Sequence, residues 1–542
     1  MGVKEVPSKI LPYTPAAGDP YLLGTCYDRA AITQEWEIDT SDLPYLAHVK
    51  SLADRWKPLR YLADWLEVGT TPLRWNDVRE KPNQRNERTN RTTVTMLQFF
   101  GSAPTKRLDI DKISTLKEAL QEATPEEPSL QLFLVEDLSR QVVESLGARY
   151  DIDPLFFRDQ IADYNWFNTR DPWAMSPSLL AEMKHRNWFH LRNVRLRYFK
   201  SRKSFETARW ETNWFNVYRR YDNDENHSQY QDAEGSIIGM SRTRSSFWVG
   251  KDPLNPNTTV GIVLLDPSIV EGYLLWHGPT NWVSPPPGMN EKYSPTKNPS
   301  SLLEQIIEAT TTYPWYHSDA KSTPIDQQIF VKPAIYAICA EWLIVCDYIK
   351  SRLGQLEWEL EKPSVFRSKG DAVEGSLQRL HTWRRVVPLY REMVKETIEQ
   401  AFPAAIRLTS TSNNPNPYFQ DIFPDFQRVQ QSLNELQERV DRLTTVVTSE
   451  ISTVDSRRGL EENHNLSRLT WLATTFIPLS FVCGLFSMQE DIVGMKTTFG
   501  WYFLTAIPLT ALCMVVAGGV GKNWWRKKPK ANDPYGETRN SK

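Results

Sequence analysis

Ser487, Gln489, Glu490 and Asp491 set a hydroxyl, an amide and two carboxylates side by side, with Met488 among them. They follow directly on the most apolar run of the chain, which ends Gly484-Leu485-Phe486. Oxygen acceptors of this kind draw cations and take hydrogen bonds from the water a cation carries. The residues leave two readings open. The stretch is the mouth of an ion path, or it is the solvated turn where a membrane anchor reverses. Both need the preceding run to cross a membrane.

Its composition meets that need. Leu469 to Met488 carries no charged residue, enough to cross a hydrocarbon core of ~30 Å, and Phe499 to Val520 forms a second such run. Each holds one proline, Pro478 and Pro508, which membrane helices tolerate. Trp501, Tyr502, Trp524 and Trp525 bracket the second run as an interfacial aromatic belt. Arg457, Arg458 and Arg468 precede the first run, and a Lys/Arg-rich tail follows the second. The connection has one lysine, Lys496, against Glu490 and Asp491. The positive-inside rule therefore predicts an integral multi-pass protein with both ends cytoplasmic and a short outside loop, most simply in the plasma membrane. Sequons at Asn90, Asn226, Asn257 and Asn465 would lie on the wrong side for glycosylation.

The rest of the chain reads as water-soluble. Net charge is −2 over 542 residues and mean hydropathy is −0.50, so no bulk basic surface points to nucleic acid. Five scattered cysteines (Cys26, Cys339, Cys346, Cys483, Cys513) form no C-x-x-C pair, against a disulfide framework or thiolate zinc site. No P-loop, H-E-x-x-H, G-x-S-x-G or EF-hand pattern occurs, and His185 and His190 do not share a helical face. The expectation is a non-enzyme without a resident cofactor. The N-terminus lacks the apolar core of a secretory signal.

Periodicity divides the chain further. Residues 1–92 read as a variable region ending in a polar linker, "REKPNQRNERTNRTT". Residues 93–325 read as a cytoplasmic α/β domain. Strands are expected at "VTMLQFFG", "LQLFLVED", "VRLRYFKS", "RSSFWVGK" and "TVGIVLLDPS", with helices over "SRQVVESLGARY" and after Asp153-Pro154. A Pro-rich surface loop, "NWVSPPPGMNEKYSPTKNPS", belongs to this domain. Residues 326–468 read as a helical stalk, with helices at Ile325–Glu361, Leu377–Phe402 and from Phe426. "AIYAICAEWLIVCDYI" is interrupted by Glu341 and Asp347 and reads as a buried helix rather than a span. Val429, Leu433, Leu436, Val440, Leu443 and Val447 alternate three and four apart as a coiled-coil-like seam. That helix is expected to run on into the first span, 469–488, followed by the outside loop 489–498, the second span 499–520 and the basic tail 521–542.

A long helix entering the first of two C-terminal spans, a short acidic loop and a basic tail resemble the CorA-type divalent cation transporters, in a divergent form of the type found in fungi. Pro478-Leu479-Ser480-Phe481 and Gly484-Leu485-Phe486 are similar to the core and end of that family's first span, and Asp153-Pro154-Leu155 with Asp159 to an upstream segment. Where the family carries Gly-Met-Asn, this chain has Ser487-Met488-Gln489; Gly288-Met289-Asn290 follows three prolines with no span before it. The resemblance implies a homopentamer in a lipid bilayer that conducts divalent cations, Mg²⁺ or similar, through a pore lined by the first span. Leu466, Leu469, Ala473, Ile477, Ser480 and Gly484 obey the three-to-four spacing of one helical face. The same small and apolar residues would also suit plain helix–helix packing. At the mouth, Gln489 keeps the amide oxygen of the family's asparagine but sets it one methylene further out. Ser487, Met488, Gln489, Glu490 and Asp491 are the expected filter and cation trap. The alternative is a membrane scaffold or sensor of the same architecture that does not transport.

Overall fold

The computed structural model describes residues 38–56, 58–70, 78, 81–100, 105–121, 128–162, 175–219, 221–225, 233, 235–278, 301–312, 326–361, 373–410, 419, 421–487 and 495–525. The Pro-rich loop with Gly288-Met289-Asn290 falls outside them. The chain divides into two compact units, Met1–Thr444 and Thr445–Lys542.

In the first unit an eight-stranded sheet runs β2-β1-β3-β7-β6-β4-β8, with β5 also paired to β6. The strands are β1 Val94–Phe99, β2 Lys106–Ile110, β3 Leu130–Glu136, β4 Trp188–Phe199, β5 Tyr221–Glu225, β6 Ile237–Lys251, β7 Thr259–Leu265 and β8 Tyr273–Leu274. β3 and β7 pair parallel in register Leu132↔Gly261, and the other pairs are antiparallel. β1 and β7 are buried along their whole length, as continuous apolar runs demand. The long strand β6 shares one edge between β7, at 245–251, and β5, at 237–241. Between those partners the backbone N–H of Arg244 donates to Asp266 Oδ2 at 2.7 Å, so a side chain replaces the missing strand.

Helices α1 Pro44–Arg55, α2 Leu59–Val68, α4 Ile113–Gln121, α5 Arg140–Tyr150 and α6 Pro154–Ile161 share a core with the sheet, to which α3 Pro82–Asn90 gives no residue. Leu46, Trp65, Val143 and Phe156 meet Phe133, Val260 and Ile262 there. Local chemistry starts two of these helices: Ser139 caps α5 through Val142 N–H, and Asp153, as expected, accepts from Leu155 N–H at 2.9 Å ahead of Pro154. On the other face, a Cβ at Gly261 would lie 2.5 Å from the Phe330 ring, so only glycine lets that aromatic close on β7.

The polar run at 79–93 is not a linker. It contains α3, whose Arg88 is 3% exposed and donates to the carbonyls of Asn213, Trp214 (3.1 Å) and Phe215 (2.9 Å). A guanidinium with three acceptors compensates for the apolar stripe this helix lacks.

The later helices are α7 Arg202–Glu211, α8 Leu302–Thr312, α9 Lys332–Glu361, α10 Val373–Glu396, α11 Phe402–Thr409, α12 Phe423–Phe486 and α13 Met495–Trp525. α9 packs on β4 and is the buried helix expected over Ala334–Ile349; its Glu341, 2% exposed, pairs with Arg195 Nε at 3.1 Å. The helix expected to stop at Phe402 continues: a π turn, Thr397–Ala401, joins α10 to α11. Pro403 would collide with the carbonyl four residues back, and the wider turn makes room for it. All six seam residues of α12 are buried within the chain itself, with Phe426 set edge-on against Phe402 at 5.1 Å. The helices expected as a separate stalk thus share, up to Thr444, one unit with the sheet.

The candidate ion path and what its helices present

α12 is 64 residues long, about 96 Å at ~1.5 Å per residue. It passes Gly459 and Pro478 without a break, as the sequence pattern predicts. Its apolar part is Leu469–Leu485, shorter than the expected 469–488. α13 begins at Met495, inside the expected loop, and contains Phe499–Val516, the stretch among the described residues long and apolar enough to cross a membrane.

Leu466, Leu469, Ala473, Ile477, Ser480 and Gly484 all lie on α12, and Ser487 follows it; at about 100° per residue they fall within an arc of roughly 80°. All seven are exposed, Ile477 at 67%, and nothing lies within 4 Å of a Cβ placed on Gly484. The buried residues of this stretch, Pro478 and Val482, sit on the opposite side of the helix. The candidate lining face therefore has no partner within its own chain among the described residues. Leu472, Phe476 and Phe481 are exposed as well, as lipid-facing residues would be.

Hydroxyls in this segment are satisfied without leaving the helix. Thr470, Thr474 and Thr475 donate to the carbonyls of Leu466, Thr470 and Trp471 at 2.8, 2.7 and 2.9 Å. Such internal bonds keep polar side chains compatible with an apolar surround. The Ser487 N–H donates to the Cys483 carbonyl at 2.9 Å and closes the last turn of α12. Met488, Gln489, Glu490 and Asp491 lie outside the described residues. No group of three or more His, Cys, Asp or Glu side chains placed to hold a metal occurs among the described residues.

Several buried carboxylates of the first unit are paired. Asp222 holds Arg242 and Arg385 at 2.9 and 2.7 Å, and Asp266 holds Arg219 Nε at 2.6 Å. Glu396 pairs with His190 (3.1 Å) and Arg192; burial alone would raise its carboxyl, but these two partners hold it down to about 2. Burial pushes the Cys339 and Cys346 thiols up to about 12, which leaves them protonated and unreactive. Sequence reading missed the junction of Glu396 with β4, since its partners lie some 200 positions away. The visible signal was Pro403, a proline placed inside a helical pattern.

Residues 293–520, from α8 through most of α13, match the model of the family described as CorA-like Mg²⁺ transporter protein. This segment is similar to the domain of that family. Its boundaries take in the long helix and both apolar stretches, whereas the eight-stranded sheet lies ahead of it. Among solved structures, the chain is similar to the CorA magnesium transporter from Methanocaldococcus jannaschii, at 9% identity, covering 78% of this chain and 96% of that one with a TM-score of 0.38. It is also similar to the full-length CmaX protein, at 12% identity, covering 81% and 97% with a TM-score of 0.32. No curated protein matches the chain. In the sequence, Ser487-Met488-Gln489 stands after α12 where the resemblance leads one to look for Gly-Met-Asn.

Proposed function

We propose that the protein is a homopentameric membrane channel or transporter for divalent cations, Mg²⁺ or a close relative, and not an enzyme. The cation is cargo, and no resident cofactor is involved. The observation that carries the reading is the CorA-like domain itself, which spans α12 and α13 together. The unpartnered face of α12 supports it. Five copies would bring Leu466, Leu469, Ala473, Ile477, Ser480 and Gly484 around one axis, as a narrow apolar path able to gate by dewetting. Leu469–Leu485 and Phe499–Val516 would each cross the bilayer, the first at the short end of the range for a membrane helix. Both chain ends would be cytoplasmic, in the plasma membrane.

Mg²⁺ sheds its water shell reluctantly, so a filter for it works by hydrogen bonds to bound waters. A ring of Gln489 amides would supply those acceptors, with Ser487 hydroxyls beneath. Glu490 and Asp491 would concentrate cations at the mouth. A second reading, a scaffold or sensor that does not transport, is favoured by one observation: Ser487 and Gln489 replace the glycine and asparagine of the family motif.

Purified protein in liposomes loaded with a Mg²⁺-sensitive dye separates the two. Uptake that falls in Gln489→Ala establishes Ser-Met-Gln as a working filter, and parallel Zn²⁺, Ni²⁺ and Co²⁺ traces rank the ions. A pentamer that moves none of them leaves the scaffold.

A further inference from the structure

We propose that the groove between β4, the π turn and α11 binds a small branched-chain carboxylate. It is a cavity of 110 Å³ with Met183, Phe189, Ala401 and Ala404 on its apolar side, Lys184 and Arg407 as cations, and His190, Glu396, Glu399 and Gln400 as further polar lining. The floor is apolar and fixed. Phe189 is buried and stacks on Phe247 with ring centroids 4.9 Å apart, and Ala401 and Ala404 are buried beside it. An apolar cavity of about 150 Å³ takes a benzene ring, so this one has room for an isopropyl or isobutyl group.

The charges at its mouth determine the head group. Both acids nearby are already neutralised: Glu396 by His190 and Arg192, and Glu399 by Lys395 at 3.7 Å. Arg186 is committed to Glu182 at 2.6 Å and to Ser178 at 2.7 Å, with its guanidinium over Trp188. Lys184 and Arg407 are different. Lys184 forms no ion pair with any described residue. Arg407 donates one N–H to the Arg186 carbonyl at 2.7 Å and has no carboxylate partner among the described residues, while partial burial pulls its guanidinium below the ordinary range. Two unneutralised cations above an apolar floor match one anionic head on a short hydrocarbon body. The π turn brings Ala401 to the groove, just ahead of Pro403 and Ala404.

The source of such a carboxylate is either a free acid or the C-terminal leucine of a peptide, and two probes separate them. Isothermal titration of the purified full-length protein in detergent would use isovalerate and N-acetyl-leucine, with isovaleramide and inorganic phosphate as controls. Saturable binding of either acid is expected, at least about tenfold tighter than the amide or phosphate, as a lost charge-assisted hydrogen bond dictates. Arg407→Gln, at an exposed position, should weaken it about tenfold. Ala404→Leu should fill the floor and abolish it. No saturable binding of either acid, or equal binding of acid and amide, overturns the proposal. So does binding that Arg407→Gln leaves unchanged, which keeps the test decisive even if Ala404→Leu fails to fold.

Discussion

Arg439 of α12 donates through Nε to Glu357 Oε1 of α9 at 2.6 Å, and its Nη2 reaches Oε2 of the same carboxylate at 2.5 Å. The two-pronged pair sits over the seam where Val429 to Val447 bury their side chains, and it draws the Glu357 carboxyl below its usual range. Glu357 is 42% exposed, so water screens much of the attraction. The apolar seam beneath should dominate.

That ranking is measurable. Glu357→Gln should cost less than about 1 kcal/mol in denaturant unfolding of the first unit. Leu433→Ala, at a fully buried position, should cost about 2–5 kcal/mol. Equal losses would mean that the ion pair, and not the seam, fixes α12 to α9.

Arg88 allows a second comparison. Arg88→Met keeps the buried stem but orphans the carbonyls of Asn213, Trp214 and Phe215, and should cost roughly 3 kcal/mol or more. Arg91, which reaches Trp214 O and Asp137 Oδ2 from the surface side, should matter less when cut to Met. A silent Arg88→Met would return this run to the solvated segment its composition describes.

Glu136 should make stability fall as pH rises. Burial, the largest influence, raises its carboxyl to about 7 from 4.5, with Asp137 adding to the rise and Ser268 and Arg195 opposing it. A carboxyl raised in the folded state stabilises most below its unfolded value and loses that contribution as it ionises. The window is therefore pH 4.5 to 7, and the loss is about 3 kcal/mol at ~1.4 kcal/mol per unit. Unfolding of Glu136→Gln followed against pH should lack this slope; an unchanged slope would locate the titration elsewhere.

On the transport reading, the exposed face of α12 makes opposite predictions at two positions. Gly484→Phe should drop dye-reported uptake to the level of empty vesicles, because a ring of five aromatics would close the path. Ile477→Asn should raise uptake by wetting an apolar constriction. If both variants behave as wild type, this face packs against lipid or another helix and does not line a pore.

Much of this was legible in the chain. Strands β1, β3 and β7 and the capped starts at Ser139 and Asp153 follow from short-range rules and appear where those rules put them. The six-residue seam was legible as a seam, but spacing does not say whether it is buried by another copy or within the chain itself. α3 was missed because its anchor is one arginine whose acceptors lie about 125 positions away, where no periodicity can register. β4 and β6 outrun their apolar cores because Arg195 and Arg242 are matched by Glu341 and Asp222 on distant elements. At the candidate site, three-to-four spacing identified the face of α12. The identity of the mouth residues came from a motif and not from periodicity.

The parallel pairing of β3 with β7 also constrains how the molecule is made. β3 leaves the ribosome roughly 120 residues before Thr259 emerges, a wait of about 6–25 s at ~5–20 residues per second. Throughout that interval one edge of the buried strand Leu130–Glu136 has no neighbour, and such edges invite pairing with other chains. Helices α1 to α6 are complete before the wait is half over, and the core that all of them but α3 share with β3 covers one of its faces. These N-terminal helices thus serve as an internal guard for a nascent sheet that cannot close until much later in synthesis.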